Sequence, residues 1–135
     1  MIFQIEKYFS AAHFYQQTQW SREKNLSVFG KCFTEFGHGH DYRLEIEFML
    51  SAEIDQVQIA KVCDEVCGQL DHQHLNFMIS EFKTLIPTTE NISLWLWKKI
   101  KWQIKAKSST AQIRKLRLFE NPEIWVELEN ESMTF

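Results

Sequence analysis

Residues 38–50 alternate between apolar-side and polar-side positions with little interruption. His38, His40, Tyr42, Leu44, Ile46, Phe48 and Leu50 share one parity, and Asp41, Arg43, Glu45 and Glu47 take the other. Side chains two apart on a strand point to the same face of a sheet, so the run reads as a half-buried strand. The two histidines fall on its buried face. Buried imidazoles need partners, and two projecting from one side of a strand can grip one metal ion. Gly37 and Gly39 are expected to keep side-chain bulk away from the pair.

The remaining chain supplies what such a strand can pack against. In residues 1–9, Phe3, Ile5 and Phe9 share a face opposite Gln4 and Glu6, and the same parity carries Ala11 and His13 inward. Residues 14–31 are polar and without clear period, and read as a loop or a loosely ordered excursion. From Asp55 the period becomes helical. Ile59, Val62, Cys63, Val66, Cys67 and Leu70 form one stripe, with Lys61, Asp64 and Glu65 outside it. This helix is expected to end between Gly68 and Asp71. Residues 72–88 read as a connection.

A second helix is expected to begin near Thr88-Thr89-Glu90, where hydroxyls cap free amides and a carboxylate suits the positive helix end. Its stripe is Ile92, Leu96, Ile100 and Ile104, broadened by Trp95, Trp97 and Trp102, and Ser108-Ser109-Thr110 closes it. In residues 113–120, Leu116 and Leu118 oppose Lys115 and Arg117, so Glu120 inherits the apolar parity. Asn121-Pro122 reads as a turn into Ile124, Val126 and Leu128, which alternate with Glu123, Trp125, Glu127 and Glu129. The order strand, strand, helix, helix, strand, strand with a tight last turn predicts an α+β domain, two helices on one face of an antiparallel sheet.

Composition narrows the function. At 135 residues the chain is expected to be one domain, residues 1–135. A net charge of −3 provides no basic field for nucleic acid or anionic membrane, and no apolar run reaches the length of a membrane span. The start lacks the pattern of a signal peptide, and three cysteines offer no disulfide framework. The expected compartment is the cytoplasm. Eleven phenylalanines, five tryptophans and three tyrosines call for an aromatic core, for burial between subunits, or for both.

His13, His38 and His40 can supply three neutral nitrogens to one ion. In a tetrahedral zinc site that leaves a fourth position for water or substrate, the pattern of a catalytic rather than a structural centre. Cys63 and Cys67 lie on a buried helical stripe and read as small hydrophobes. Cys32 stands apart, near Lys31 and the histidines, where a cation favours the thiolate as base or nucleophile; alone it would read as an inert loop thiol. Asp71-His72 can form an acid–base pair in which the carboxylate orients the ring, although an aspartate at a helix end is also common. His74 reads as solvated. Glu120 on an apolar face needs a partner, either a basic residue of the sheet or two N–H groups of a ligand.

Taken together, these residues resemble the 6-pyruvoyl-tetrahydropterin synthase family, which includes the 6-carboxytetrahydropterin synthases of queuosine synthesis. The resemblance runs through Phe9-Ser10-Ala11-Ala12-His13, Cys32 with Gly37-His38-Gly39-His40, Leu70-Asp71-His72, Pro87-Thr88-Thr89-Glu90-Asn91 and Phe119-Glu120-Asn121, and so covers nearly the whole chain. It implies the T-fold, β-β-α-α-β-β, with three subunits closing a twelve-stranded barrel and two trimers stacked into a hexamer whose active sites lie between subunits. It also implies zinc on His13, His38 and His40, Cys32 as the proton-abstracting base, and Asp71 and His72 assisting proton transfer. Glu120 would anchor the pterin N–H edge, with Thr88, Thr89 and Glu90 near the ring. The implied substrate is 7,8-dihydroneopterin triphosphate, which loses triphosphate in a lyase reaction.

Five residues, Phe33 to Gly37, separate Cys32 from His38. That spacing favours the pyruvoyl-forming type over the queuosine type, which usually has three. Glu35 complicates the assignment, because some relatives place a glutamate near the histidines and cleave the side chain toward folate precursors. A pterin-binding protein that keeps the pocket without the chemistry is the alternative from another functional class.

Overall fold

The computed structural model describes residues 1–17, 19–30 and 37–130. The chain runs through β1 (Ile2–His13), α1 (Arg22–Phe29), β2 (His38–Met49), α2 (Gln56–Leu70), β3 (Gln73–His74), α3 (Leu75–Met78), α4 (Thr89–Lys105), β4 (Gln112–Asn121) and β5 (Ile124–Glu129), with a 3-10 turn at Ser80–Lys83. The strands form one sheet in the order β3-β1-β2-β4-β5. Alternation dictates its two long central pairings. β1 and β2 run antiparallel from Ile2 opposite Met49 to His13 opposite His38, and β4 pairs antiparallel with the other side of β2.

The inner face of the sheet carries Phe9, Ala11, Tyr42, Leu44, Ile46, Phe48, Leu116 and Leu118, all buried. They pack against the stripes of α2 (Ile59, Val62, Cys63, Val66, Cys67, Leu70) and α4 (Ile92, Leu96, Ile100, Ile104), also buried. The expected α+β layering is therefore present. An irregularity in the ladder sets Lys115 opposite Glu47 but Ile113 opposite Phe48. Arg114 is the extra residue, and the change of parity brings Ile113 into the core with Leu116. Burial pushes the thiols of Cys63 and Cys67 up to about 12, which suits packing residues rather than nucleophiles. Among the described residues, no helix is long and apolar enough to cross a membrane.

Four expectations need correction. The stretch 14–31 contains a helix, α1, capped by Ser21, whose Oγ accepts a hydrogen bond from Lys24 N at 3.1 Å. Leu26 and Val28 of α1 are exposed, so it has no apolar stripe to betray it. Residues 72–88 are likewise more structured than a plain connection, holding β3, α3 and the 3-10 turn. The sheet is mixed rather than wholly antiparallel, because β3 pairs in parallel with Ala11 and Ala12 of β1. Finally, Trp102 is 77% exposed. It lies two residues from both Ile100 and Ile104, which on a helix places it on the opposite side from the stripe.

Candidate metal centre and active site

The end of the sheet where β1 finishes and β2 begins gathers the titratable groups. His13 lies directly opposite His38 in the ladder and His40 lies opposite Ala11, so the parity of two adjacent strands aims three imidazoles at one point. The Nε2 atoms of His13 and His38 are 3.2 Å apart. The ring centroids of His13, His38 and His40 lie 4.7 to 5.1 Å from one another. Glu120, which continues the inward parity of Leu116 and Leu118, brings its Oε1 to 2.9 Å from His40 Nε2 and 3.6 Å from His13 Nε2. One ligand atom from each of the four residues lies within 4.8 Å of all the others.

The residues behind the imidazoles determine their state. His13 is fully buried, and its Nδ1 is 3.0 Å from the carbonyl oxygen of Pro87 and 3.2 Å from the Tyr42 hydroxyl. A carbonyl only accepts, so Nδ1 carries the proton and Nε2 presents a lone pair to the cluster. Burial, followed by the neighbouring rings of His38 and His40, lowers the His13 pKa to about 3. Burial and then His40 also lower that of His38, against an opposing pull from Glu120. Both rings are therefore neutral near pH 7, the form that ligates metals.

These residues fit a zinc-type cation. Tetrahedral bonds of about 2.0–2.1 Å place neighbouring ligand atoms about 3.3 Å apart, and the closest separations in the cluster scatter around that figure. Among the described residues, His40 Nε2 is buried without a hydrogen-bond partner. Its 2.9 Å approach to Glu120 is close enough for a hydrogen bond but is not directed as one, so the nitrogen faces the centre without being satisfied by it. Three imidazoles with one carboxylate is also a donor set suited to zinc.

Gly37 closes the site from behind. It adopts φ +81°, and a Cβ there would stand 2.5 Å from the His13 carbonyl oxygen and 2.9 Å from His74 Nε2, so the position admits no side chain. Gly39 is different. A Cβ there meets only Ala11 O at 3.7 Å, an ordinary contact, so the expected steric need for glycine holds at 37 and not at 39. His74, expected to be solvated, is half-buried with its ring 4.4 Å from Phe77 and 5.5 Å from Phe14.

Asp71 and His72 follow α2 and bind the outer edge of β1. Asp71 Oδ1 accepts from Ser10 N at 2.8 Å, and His72 N donates to Ser10 O at 2.6 Å. Asp71 Oδ2 lies 3.0 Å from His72 Nδ1. The hydrogen bond from Ser10 N, helped by His72, lowers the Asp71 pKa and keeps its carboxylate ionised. His72 takes φ +60°, a strained conformation for a residue with a side chain. Its ring is exposed and lines an open cavity of about 380 Å³ shared with Ser10, His40 and Asp41. The Asp71–His72 pair thus opens onto the space beside His40.

The start of α4 borders the same region through Pro87. Thr88 Oγ1 accepts from Asn91 N at 3.1 Å as the helix cap, Thr89 is buried and Glu90 is exposed. Cys32 and Glu35 lie outside the described residues. Sequence reasoning did not find the Pro87 carbonyl or the Tyr42 hydroxyl behind His13. Nor did it find that Glu120 stands beside the imidazoles. The parity of Tyr42 and Glu120 was the available signal, whereas a backbone carbonyl leaves none.

The sheet, its helices and this cluster together define a T-fold protein with a candidate metal centre of histidine and glutamate. Residues 3–131 match the model of the family described as 6-pyruvoyl tetrahydropterin synthase, and the chain belongs to that family. It is 34% identical to a 6-pyruvoyl tetrahydrobiopterin synthase of Poecilia reticulata over 66% of its own length and 65% of the relative's. The chain thus spans just under two thirds of that curated relative. It is also 35% identical to a dihydroneopterin monophosphate aldolase of Pyrococcus furiosus, over 68% of this chain and 77% of the other. The fold resembles that of the Caenorhabditis elegans 6-pyruvoyl tetrahydropterin synthase with a TM-score of 0.82 at 24% identity, covering 96% of this chain and 95% of that one.

Proposed function

We propose that this protein is a zinc-dependent lyase that converts 7,8-dihydroneopterin triphosphate to a 6-substituted tetrahydropterin with loss of triphosphate, of the 6-pyruvoyl-tetrahydropterin synthase type. The observation that carries this reading is the convergence of His13, His38, His40 and Glu120 on one point in a chain of this family. Zinc, when bound, supplies Lewis-acid polarisation of the substrate's side-chain oxygens and so acidifies the adjoining C–H. His13, His38 and His40 hold the ion. Cys32, as the thiolate, takes the proton from carbon. Asp71 fixes the His72 ring through Nδ1, leaving Nε2 to exchange protons with substrate in the shared cavity. Glu120 accepts N–H groups of the pterin, and Thr88, Thr89 and Glu90 flank the ring.

The working unit in this reading is a hexamer, a dimer of trimers. The edge of β5 and the part of β1 that β3 does not cover support it, because among the described residues they are unpaired and open strand edges seek partners. A second product is supported by the likeness to the archaeal aldolase and by Glu35: cleavage of the substrate side chain to leave a hydroxymethyl group. A third, the carboxy product of queuosine synthesis, uses the same substrate.

The test is incubation of zinc-loaded protein with 7,8-dihydroneopterin triphosphate, with mass spectrometry of the products. The expected result is 6-pyruvoyl-tetrahydropterin with stoichiometric triphosphate, at a rate falling by at least about 10²-fold in Cys32→Ala. Full turnover in Cys32→Ala would remove Cys32 as the base. A carboxy or hydroxymethyl pterin would reassign the product, and tight pterin binding without metal uptake would replace the enzyme with a binding protein.

A further inference from the structure

The last turns of α4 carry a charge pattern that the metal centre does not use. Residues 98–107 hold five lysines and no acidic residue, in a chain whose net charge is −3. A helix C-terminus favours cations, which accounts for lysines at this end but not for what lies between them. Where these turns cross the start of β4, Lys101 and Lys105 border a cavity of about 150 Å³ whose walls include Ile104 and Ile113. Asn130 forms another wall and is fixed there by Nδ2 donating to Ile113 O at 2.9 Å. Among the described residues, no carboxylate lines the cavity. Trp97 lines it one turn before Lys101. It is 2% exposed, and among the described residues its Nε1 is buried without a hydrogen-bond partner. Buried tryptophan N–H groups usually find an acceptor. Trp95 gives its own to Glu81 Oε2 at 2.8 Å, so the same helix satisfies one indole and leaves the other. An indole nitrogen only donates and an ammonium only donates, so the polar side of the cavity calls for an acceptor with negative charge.

We propose that this cavity binds a small organic carboxylate, its oxygens held by Lys101, Lys105 and the Trp97 indole N–H and its body lying against Ile104 and Ile113. A cavity of this volume accepts a molecule of about six non-hydrogen atoms. An inorganic anion would satisfy the donors but leave the isoleucine walls without a partner, and a neutral molecule would leave the ammonium groups without a counter-charge. Each ammonium has three donors, so a contact that either lysine makes elsewhere leaves others for the ligand. The site is separate from the metal centre. Gln112, beside the cavity, pairs with Met49 at the end of β2, whereas His38 opens β2, roughly 35 Å of strand away. The inference therefore goes beyond the pterin chemistry proposed above and stands or falls without it.

The test uses full-length protein labelled with fluorotryptophan and read by fluorine NMR. It is titrated with sodium butyrate, a carboxylate of the right size, and in parallel with butyramide and with inorganic phosphate. Butyrate is expected to shift, saturably, the one resonance that is missing from Trp97→Phe, and the other two probes are expected to leave it in place. Lys101→Gln combined with Lys105→Gln, which removes two charges and leaves the core untouched, is expected to weaken butyrate binding by at least about tenfold, the scale of hydrogen bonds to a charged group. Should Trp97→Phe fail to fold, loss of the butyrate response in the lysine variant identifies the site in its place. Absence of a saturable shift, or butyrate affinity unchanged in the lysine variant, would overturn the proposal. An equal response to butyramide would make the cavity a plain apolar hole, and an equal response to phosphate would make it an unselective cationic patch. Either of those results overturns the carboxylate assignment.

Discussion

At His13, burial and proton chemistry oppose each other. The ring is fully buried, and its pKa falls from the ordinary 6.5 to about 3. The unfolded chain takes up a proton below about 6.5 that the folded, metal-free chain refuses until near 3. Stability is therefore complete above the upper value and declines as pH falls through this window, by on the order of a few kcal/mol at a buried site. Denaturant melts of metal-free protein at pH 7 and pH 4.5 are expected to show the drop, and His13→Gln should flatten it. An equal drop in the variant would place the proton elsewhere. His13, His38 and His40 were legible in the sequence because strand parity is a property of order alone. The tautomer of His13 was not, because it depends on a carbonyl at Pro87, far along the chain. Glu120 was legible as an inward carboxylate, while its nearness to the imidazoles required the pairing of β2 with β4.

Among the elements, legibility followed the strength of the periodic signal. The long strands and both long helices declare themselves through stripes that the core then buries. α2 adds a capping box at Asp55 and Gln58. α1 was hidden because Leu26 and Val28 face outward, leaving only Ser21 as a start signal. β3 is two residues long and exists because Asp71 and His72 tie the chain to Ser10 of β1, a contact between segments that no local pattern encodes. The start of α4 was well marked by Thr88, whose hydroxyl accepts from Asn91 N. Thr88→Ala removes that bond and is expected to cost about 1 kcal/mol, seen as a fall of a few degrees in melting temperature. Thr88→Ser, which keeps an acceptor, should recover most of it. A serine variant as unstable as the alanine one would mean that the methyl group and not the cap carries the effect.

For the whole molecule, the aromatic load divides between two destinations. Phe9, Tyr42, Phe48, Phe82, Trp95 and Trp97 are buried within the chain. Tyr8, Phe77, Trp102 and Trp125 remain on its surface. Tyr8, Arg43, Phe119 and Trp125 form one row across the outer face of the sheet, with the Arg43 guanidinium 3.9 Å from the Phe119 ring centroid and Phe119 stacked on Trp125. An outer face of this kind, beside a β5 edge that is unpaired among the described residues, suits association between copies. Ile124 is 51% exposed at the start of β5, and Ile124→Lys puts a charge on that edge. Light scattering after size exclusion is expected to show a shift from the proposed hexamer toward smaller species, and a variant whose assembly matches the wild type would take β5 out of the interface. The metal centre has a consequence for how the molecule forms. Its donors come from positions 13, 38, 40 and 120, so no local segment of a nascent or denatured chain holds them together. Closing such long loops is entropically unfavourable until the β1–β2 and β2–β4 pairings already exist. An ion held there would therefore enter after the folding barrier rather than nucleate the fold, and would act as a latch that slows opening of the finished sheet.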